Sequence, residues 1–89
     1  MLRPRATAQF KRDRKRCRRR GFDLARLDHV MELLACGDLL GPEYRPHPLH
    51  GEFEDCWECH LGFDWLLIWR VEGQDLVFVR TGTHADLFE

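Results

Sequence analysis

Apolar residues recur along this chain with two different periods, and the change of period divides it. In the stretch LARLDHVMELLAC, Leu24, Leu27, Met31 and Leu34 follow 3-4-3 spacing with Val30 beside them. That is the stripe of one helix face. Asp23 stands where an N-cap belongs and Gly37 where a helix closes. Residues 7–20, TAQFKRDRKRCRRR, predict a preceding helix that ends at Gly21. Its stripe of Ala6, Phe10 and Cys17 is thin, so packing has to hold it against the repulsion of its own charges.

Beyond residues 38–51, DLLGPEYRPHPLHG, which read as an irregular loop, the pattern turns strand-like over 53–61, 65–71 and 76–80. The turns between them contain Gly62 and the stretch from Glu72 to Asp75. Short turns between consecutive strands imply an antiparallel meander. Two helices joined at Gly21 make an antiparallel hairpin. The predicted fold is α+β: one domain over residues 1–89, a two-layer sandwich with the helical hairpin on a small, mainly antiparallel sheet.

Charge changes the picture. The net charge of −1 hides an asymmetry: residues 1–26 hold eleven Lys and Arg against Asp13 and Asp23, and residues 27–89 hold three Arg against thirteen acids. A basic arm of this density suits a polyanion such as nucleic acid, or else a helix face neutralised by an acidic partner. The N-terminus is basic but has no apolar stretch behind it, and the longest apolar run is the five residues Trp65 to Trp69. The expected compartment is the cytoplasm, with no membrane partner, where four cysteines stay reduced.

Cys56-Trp57-Glu58-Cys59-His60 matches the C-x-x-C-H spacing of haem attachment. On a strand, however, Cys56 and Cys59 point to opposite faces, as do Cys59 and His60. The stretch has no Gly or Pro to turn it. No haem, metal or other cofactor is expected.

The remaining chemistry gathers at strand ends and loops: His47, His60, Asp64, Trp65, Arg80, His84 and Phe88. By alternation, Phe78 and Arg80 share a face of their strand. Histidine moves protons near neutrality, an arginine fork fits a phosphate, and aromatic rings stack unpaired bases. That is a kit for RNA cleavage, which needs no metal when the nucleophile is the RNA's own 2′-hydroxyl. Singly, each has a plainer reading: Trp65, Trp69 and Phe78 as core, Arg80 as an ion-pair partner of Asp64.

The segments FKRD, YRPHPLHG, ECHLGFDWLLIW and VRTGTHADLF resemble the YafQ branch of RelE-like bacterial toxins, in order and across nearly the whole chain. The resemblance implies a RelE-like sandwich and the toxin of a bacterial type II toxin–antitoxin system. Such a toxin enters the ribosomal A site and cuts translated mRNA there, leaving a 2′,3′-cyclic phosphate. Its partners are then a cognate antitoxin, mRNA and the ribosome.

The resemblance also implies roles. His60 or His47, helped by Asp64, is the base; His84 is the acid or orients the phosphate; Arg80 stabilises the phosphate oxygens. Trp65 or Phe88 holds the base of the RNA. The first helix, through Lys11, Arg12, Lys15, Arg16 and Arg19, grips ribosomal RNA phosphates. Two alternatives stand beside this one: a non-catalytic homologue that binds antitoxin or RNA, and a ParE-like gyrase inhibitor. The histidines argue against the last, since gyrase inhibition does not need them.

Overall fold

The computed structural model describes all 89 residues and has the α+β two-layer plan, with elements added at both ends. Helix α1 spans Ala8–Arg19 and α2 spans Leu24–Ala35. Thr7 caps α1 by accepting the Phe10 amide at 2.9 Å, and its hydroxyl donates to the Val79 carbonyl at 2.8 Å. One side chain thus starts the helix and ties that start to the sheet. Asp23 caps α2, as its position in the sequence predicts, accepting from the Ala25 amide at 3.1 Å. Gly21 turns the chain between them at φ +81°, a conformation that costs glycine nothing. Arg14 of α1 bonds both carboxylate oxygens of Asp28 on α2, at 2.9 and 3.0 Å.

Five strands form one sheet: β1 (Arg3–Ala6), β2 (His47–Pro48), β3 (Trp57–Gly62), β4 (Trp65–Glu72) and β5 (Asp75–Gly82), in the order β1-β5-β4-β3-β2. Neighbours are antiparallel except β1, which joins β5 in parallel. The predicted first strand of the meander begins only at Trp57, because Gly51–Phe53 make a helical turn and Asp55 takes φ +71°. β1 is an addition. Its sequence RPRA shows no apolar alternation, and Arg3 and Arg5 hold it to Asp75 at 3.0 and 3.1 Å. A charged, proline-bearing strand also discourages further pairing at this edge.

The hairpin covers one sheet face, where Phe10 and Cys17 of α1 and Leu27 and Val30 of α2 meet Cys59, Leu67, Trp69 and Phe78. Burial of each large side chain in such a cluster contributes about 1.5–3 kcal/mol. The opposite face is also covered. A short helix, α3 (His84–Phe88), and the loop before β3 lay Leu87, Leu49 and Phe53 over Cys56, Leu66 and Ile68. β4 is therefore buried on both faces, which explains the unbroken apolar run from Trp65 to Trp69. No helix is long and apolar enough to cross a membrane.

The two clusters separate the cysteine pair: Cys56 belongs to one face and Cys59 to the other, and all four cysteines are free. Burial, aided by the charge of Glu58, pushes the Cys59 thiol up to about 12, so near neutral pH it stays protonated in the core.

One irregularity decides where Arg80 points. Trp69 faces Phe78 but Ile68 faces Arg80, so β5 accommodates an extra residue, Val79. Strict alternation gives Arg80 the face of Phe78. The bulge instead sets it in a row with Ile68 and Glu58, which also faces Ile68. The expectation that Phe78 and Arg80 share a face fails for this reason.

Candidate active site

Alternation along β3 puts Glu58 and His60 on the face away from the hairpin, and β2 sets His47 opposite Glu58. Arg45, in a left-handed conformation at φ +47°, orients both imidazoles. Its carbonyl lies 2.9 Å from His47 Nδ1, and its Nη2 donates to His60 Nδ1 at 3.2 Å. A carbonyl only accepts and a guanidinium only donates, so the tautomers follow. His47 carries a proton on Nδ1, and neutral His60 carries its proton on Nε2.

His47 Nε2 then faces Glu58 Oε1 at 3.2 Å. Two lone pairs at that distance require a proton between them. Glu58 is buried, which lifts its carboxyl above the ordinary value against the pull of the His47 charge. Its other oxygen, Oε2, is buried with no hydrogen-bond partner. His60 Nε2 stands 4.0 Å from Glu58 Oε1. Burial first, then the charges of Arg45, His47 and His84, hold His60 below its ordinary value, so it is neutral near pH 7.

The facing wall is built by the β3–β4 turn and α3. Thr83 caps α3 in a reciprocal pair with Asp86, which makes His84 the first helical residue. The His84 amide and ring Nδ1 both bond Asp64 Oδ1, at 3.0 and 2.7 Å. These bonds, the backbone one first, hold the Asp64 carboxyl below its ordinary value. His84 Nε2 is left as the working nitrogen. The His60 ring lies 6.0 Å from that of His47 and 6.3 Å from that of His84, so the three imidazoles form an arc. Phe88 extends it, 6.3 Å from His84, half exposed and edge-on to Phe53 at 5.7 Å.

Arg80 pairs with Asp13, not with Asp64. Its Nε donates to Asp13 Oδ2 at 2.7 Å and its Nη2 to Oδ1 at 3.2 Å, with a longer bond from Nη2 to the Asp86 carbonyl at 3.4 Å. The hydrogen bonds with Asp13 raise the Arg80 pKa further. Nη1 carries no hydrogen bond to the protein and remains available.

Two expected roles change. Trp65 is buried in the main core, donates from Nε1 to Thr81 Oγ1 at 3.0 Å and lies 5.0 Å from Phe22. Its ring anchors the turn that carries Asp64 and has no free face for a base. Asp64 bonds His84 rather than His47 or His60. On α1, Lys11, Arg12, Lys15 and Arg19 are exposed, whereas Arg16 turns inward to Asp13 at 3.0 Å and Asp86 at 3.7 Å. Glu58, Arg45 and Asp13 were not singled out by the sequence. Only Glu58 left a signal there: it lies two residues from His60 on a strand.

The profile of the family described as bacterial toxin of type II toxin–antitoxin system, YafQ, matches residues 2–89. An mRNA interferase toxin YafQ from Escherichia coli strain K12 is 37% identical over 83 residues, covering 92% of this chain and 90% of the relative. A crystal structure of the Escherichia coli DinJ–YafQ complex contains a chain that superposes with a TM-score of 0.92 at 33% identity, each chain covered in full. A metal-bound toxin from Helicobacter pylori superposes with a TM-score of 0.91 at 40% identity, covering 99% of this chain and 100% of that one.

Proposed function

This chain belongs to the YafQ family of bacterial type II toxin–antitoxin toxins, and from that membership and the geometry of the site we propose that it is an endoribonuclease cutting translated mRNA on the ribosome. The observation that carries the reading is the convergence of two proton-handling pairs, His47–Glu58 and Asp64–His84, on either side of His60. A fold used only for binding does not need them. By the same family argument, its protein partner is a cognate antitoxin, as DinJ is for YafQ in the complex, and its place of work is the bacterial cytoplasm.

The chemistry follows from the tautomers. The 2′-hydroxyl attacks the adjacent phosphorus and must lose its proton. His47 and Glu58 hold one proton between them and can take up a second, so the pair is assigned as the base. The 5′-oxygen leaves and must gain a proton. His84, whose Nδ1 is held by Asp64, turns Nε2 to the site and donates the proton from there. His60 Nε2–H and Arg80 Nη1 are donors for the phosphate oxygens as charge builds on them. Phe88 offers the exposed ring for a base. The exposed cations of α1 approach ribosomal RNA.

The test is induced expression in bacteria with growth and mRNA integrity followed together, then purified protein on programmed ribosomes and on naked RNA. Growth arrest with cuts confined to reading frames is the expected result. Equal cutting of naked RNA rejects ribosome dependence, and growth arrest without cuts rejects the nuclease.

A second reading concerns the same face. One donor atom each from His47, Glu58 and His60 lies within 4.8 Å of the others, a set that suits zinc or copper, and the Helicobacter pylori relative is described as metal-bound. When bound, such a cation supplies Lewis acidity. In this chain two of its three ligands, His47 and Glu58, are the groups that share the proton, so occupancy and proton removal exclude one another. Cleavage that falls as zinc is titrated in, and returns with chelator, is the expected behaviour.

A further inference from the structure

β1 reaches only as far as Ala6, opposite Phe78, so the edge of β5 beyond that point has no strand beside it. Helix α1 takes the place of one. The Thr7 amide bonds the Phe78 carbonyl at 3.1 Å, and six residues on, Asp13 Oδ2 accepts the Thr81 amide at 3.2 Å. Asp13 is 0% exposed. Besides Thr81, it accepts from Arg80 twice, and on Oδ1 from Gln9 and Arg16, each at 3.0 Å. Arg16 also approaches Asp86 at 3.7 Å, and Arg20 bonds Asp86 at 2.7 Å. A line of alternating charge therefore runs from Arg80 to Asp86, the residue that pairs with the Thr83 cap of the helix that begins with His84.

A buried carboxylate with complete partners gives little net stability over a well-packed apolar contact. What it does give is orientation. Two bonds to one carboxylate fix the guanidinium plane of Arg80 and leave Nη1 as its free donor. We propose that Asp13 is a positioning residue for RNA cleavage, acting through Arg80 and, by way of Arg16 and Asp86, on the turn that carries His84. This rests on the ribonuclease reading given above.

The experiment uses full-length protein and programmed ribosomes. Asp13→Asn keeps the size of the side chain but removes its charge and one acceptor. It is expected to bind ribosomes within about twofold of the unaltered protein while its single-turnover cleavage falls roughly tenfold to a hundredfold, the range for a misplaced charge-stabilising donor. Added to Arg80→Ala, it should make little further difference, because the two act as one unit. Cleavage by Asp13→Asn at the unaltered rate overturns the proposal, and so does an equal loss in the Arg80→Ala background. A solvent-exchange measurement on the Arg80 Nε–H in the unaltered protein tests the clamp even if the variant does not fold. Slow exchange is expected; exchange as fast as that of a free arginine overturns the proposal. An unaltered protein that cuts no RNA removes the ribonuclease reading and leaves the exchange result standing.

Discussion

Asp64 Oδ1 accepts both the backbone amide and the ring Nδ1–H of His84, at 3.0 and 2.7 Å, so one carboxylate oxygen fixes the position of the His84 ring and its tautomer together. The pair lies at the surface, and its value is orientation rather than stability. Asp64→Ala removes that oxygen and with it both bonds. Cleavage of ribosome-bound mRNA should fall about a hundredfold to ten-thousandfold, the range for a displaced acid, with ribosome affinity little changed. His84→Ala should fall as far, and the double variant no further. Additive losses would mean that Asp64 serves some other group.

The His47–Glu58 pair and the candidate cation site share residues, so one substitution reads both. Glu58→Gln should lower cleavage by at least about a hundredfold and also weaken zinc or copper uptake, measured by calorimetry. Replacing Cys56 and Cys59 together by Ser should leave both readouts intact, because the thiols occupy opposite faces and neither belongs to the cluster. Loss of metal in the double-serine protein would restore CWECH as a ligand motif.

The basic helix divides into free and committed cations. Removing three of Lys11, Arg12, Lys15 and Arg19 should reduce the slope of log affinity for ribosomes against log salt by about two to three, since each phosphate contact contributes roughly 0.7–0.9. Arg16→Ala should leave the slope near its original value and lower the melting temperature instead, because Arg16 is spent on Asp13 and Asp86. The reverse assignment of the two effects would show that Arg16 faces RNA in the complex.

Asp86 carries a pH signature. Burial alone pushes its carboxyl up, but hydrogen bonds from Arg20 and Thr83 and the charge of Arg16 outweigh it and hold it at about 2, below the ordinary 3.8. The unfolded chain binds the proton more tightly, so this residue contributes stability above the unfolded value and loses it as pH falls through the folded one. Urea unfolding should show Asp86→Asn less stable near neutrality, on the order of 1–2 kcal/mol, with the difference shrinking towards about pH 2. A difference that stays constant with pH would place the effect in the helix cap alone.

Much of this was legible in the residues, for local reasons. Asp23 and the Leu24–Leu34 stripe mark α2 because caps and periodicity are encoded within a few positions. α3 had its signal too: Thr83 and Asp86 stand at capping-box spacing, obscured by a helix of only five residues. Glu58 was within reach of the alternation rule that separated Cys56 from Cys59, since the rule also puts Glu58 beside His60. Three features lay beyond any local pattern. β1 is held by its pairing with β5 and by Asp75, seventy residues away. The bulge at Val79 appears only in the register of two strands. Asp13 sits among arginines and reads as a solvated charge until Arg80 arrives to bury it.

That last pairing imposes an order on the making of the protein. Asp13 leaves the ribosome early, and the groups that complete it, Arg80 and Thr81, are sixty-seven and sixty-eight residues later. Until β5 is made, the carboxylate that belongs in the interior has nothing to justify burial, and the first helix has no edge to lie along. His84 follows only after that. A chain stopped just before Arg80 therefore carries the basic arm and most of the core but neither Arg80 nor His84. On the roles proposed for Arg80 and His84, such a shortened chain lacks both the phosphate donor and the acid, so cutting waits for β5 and α3.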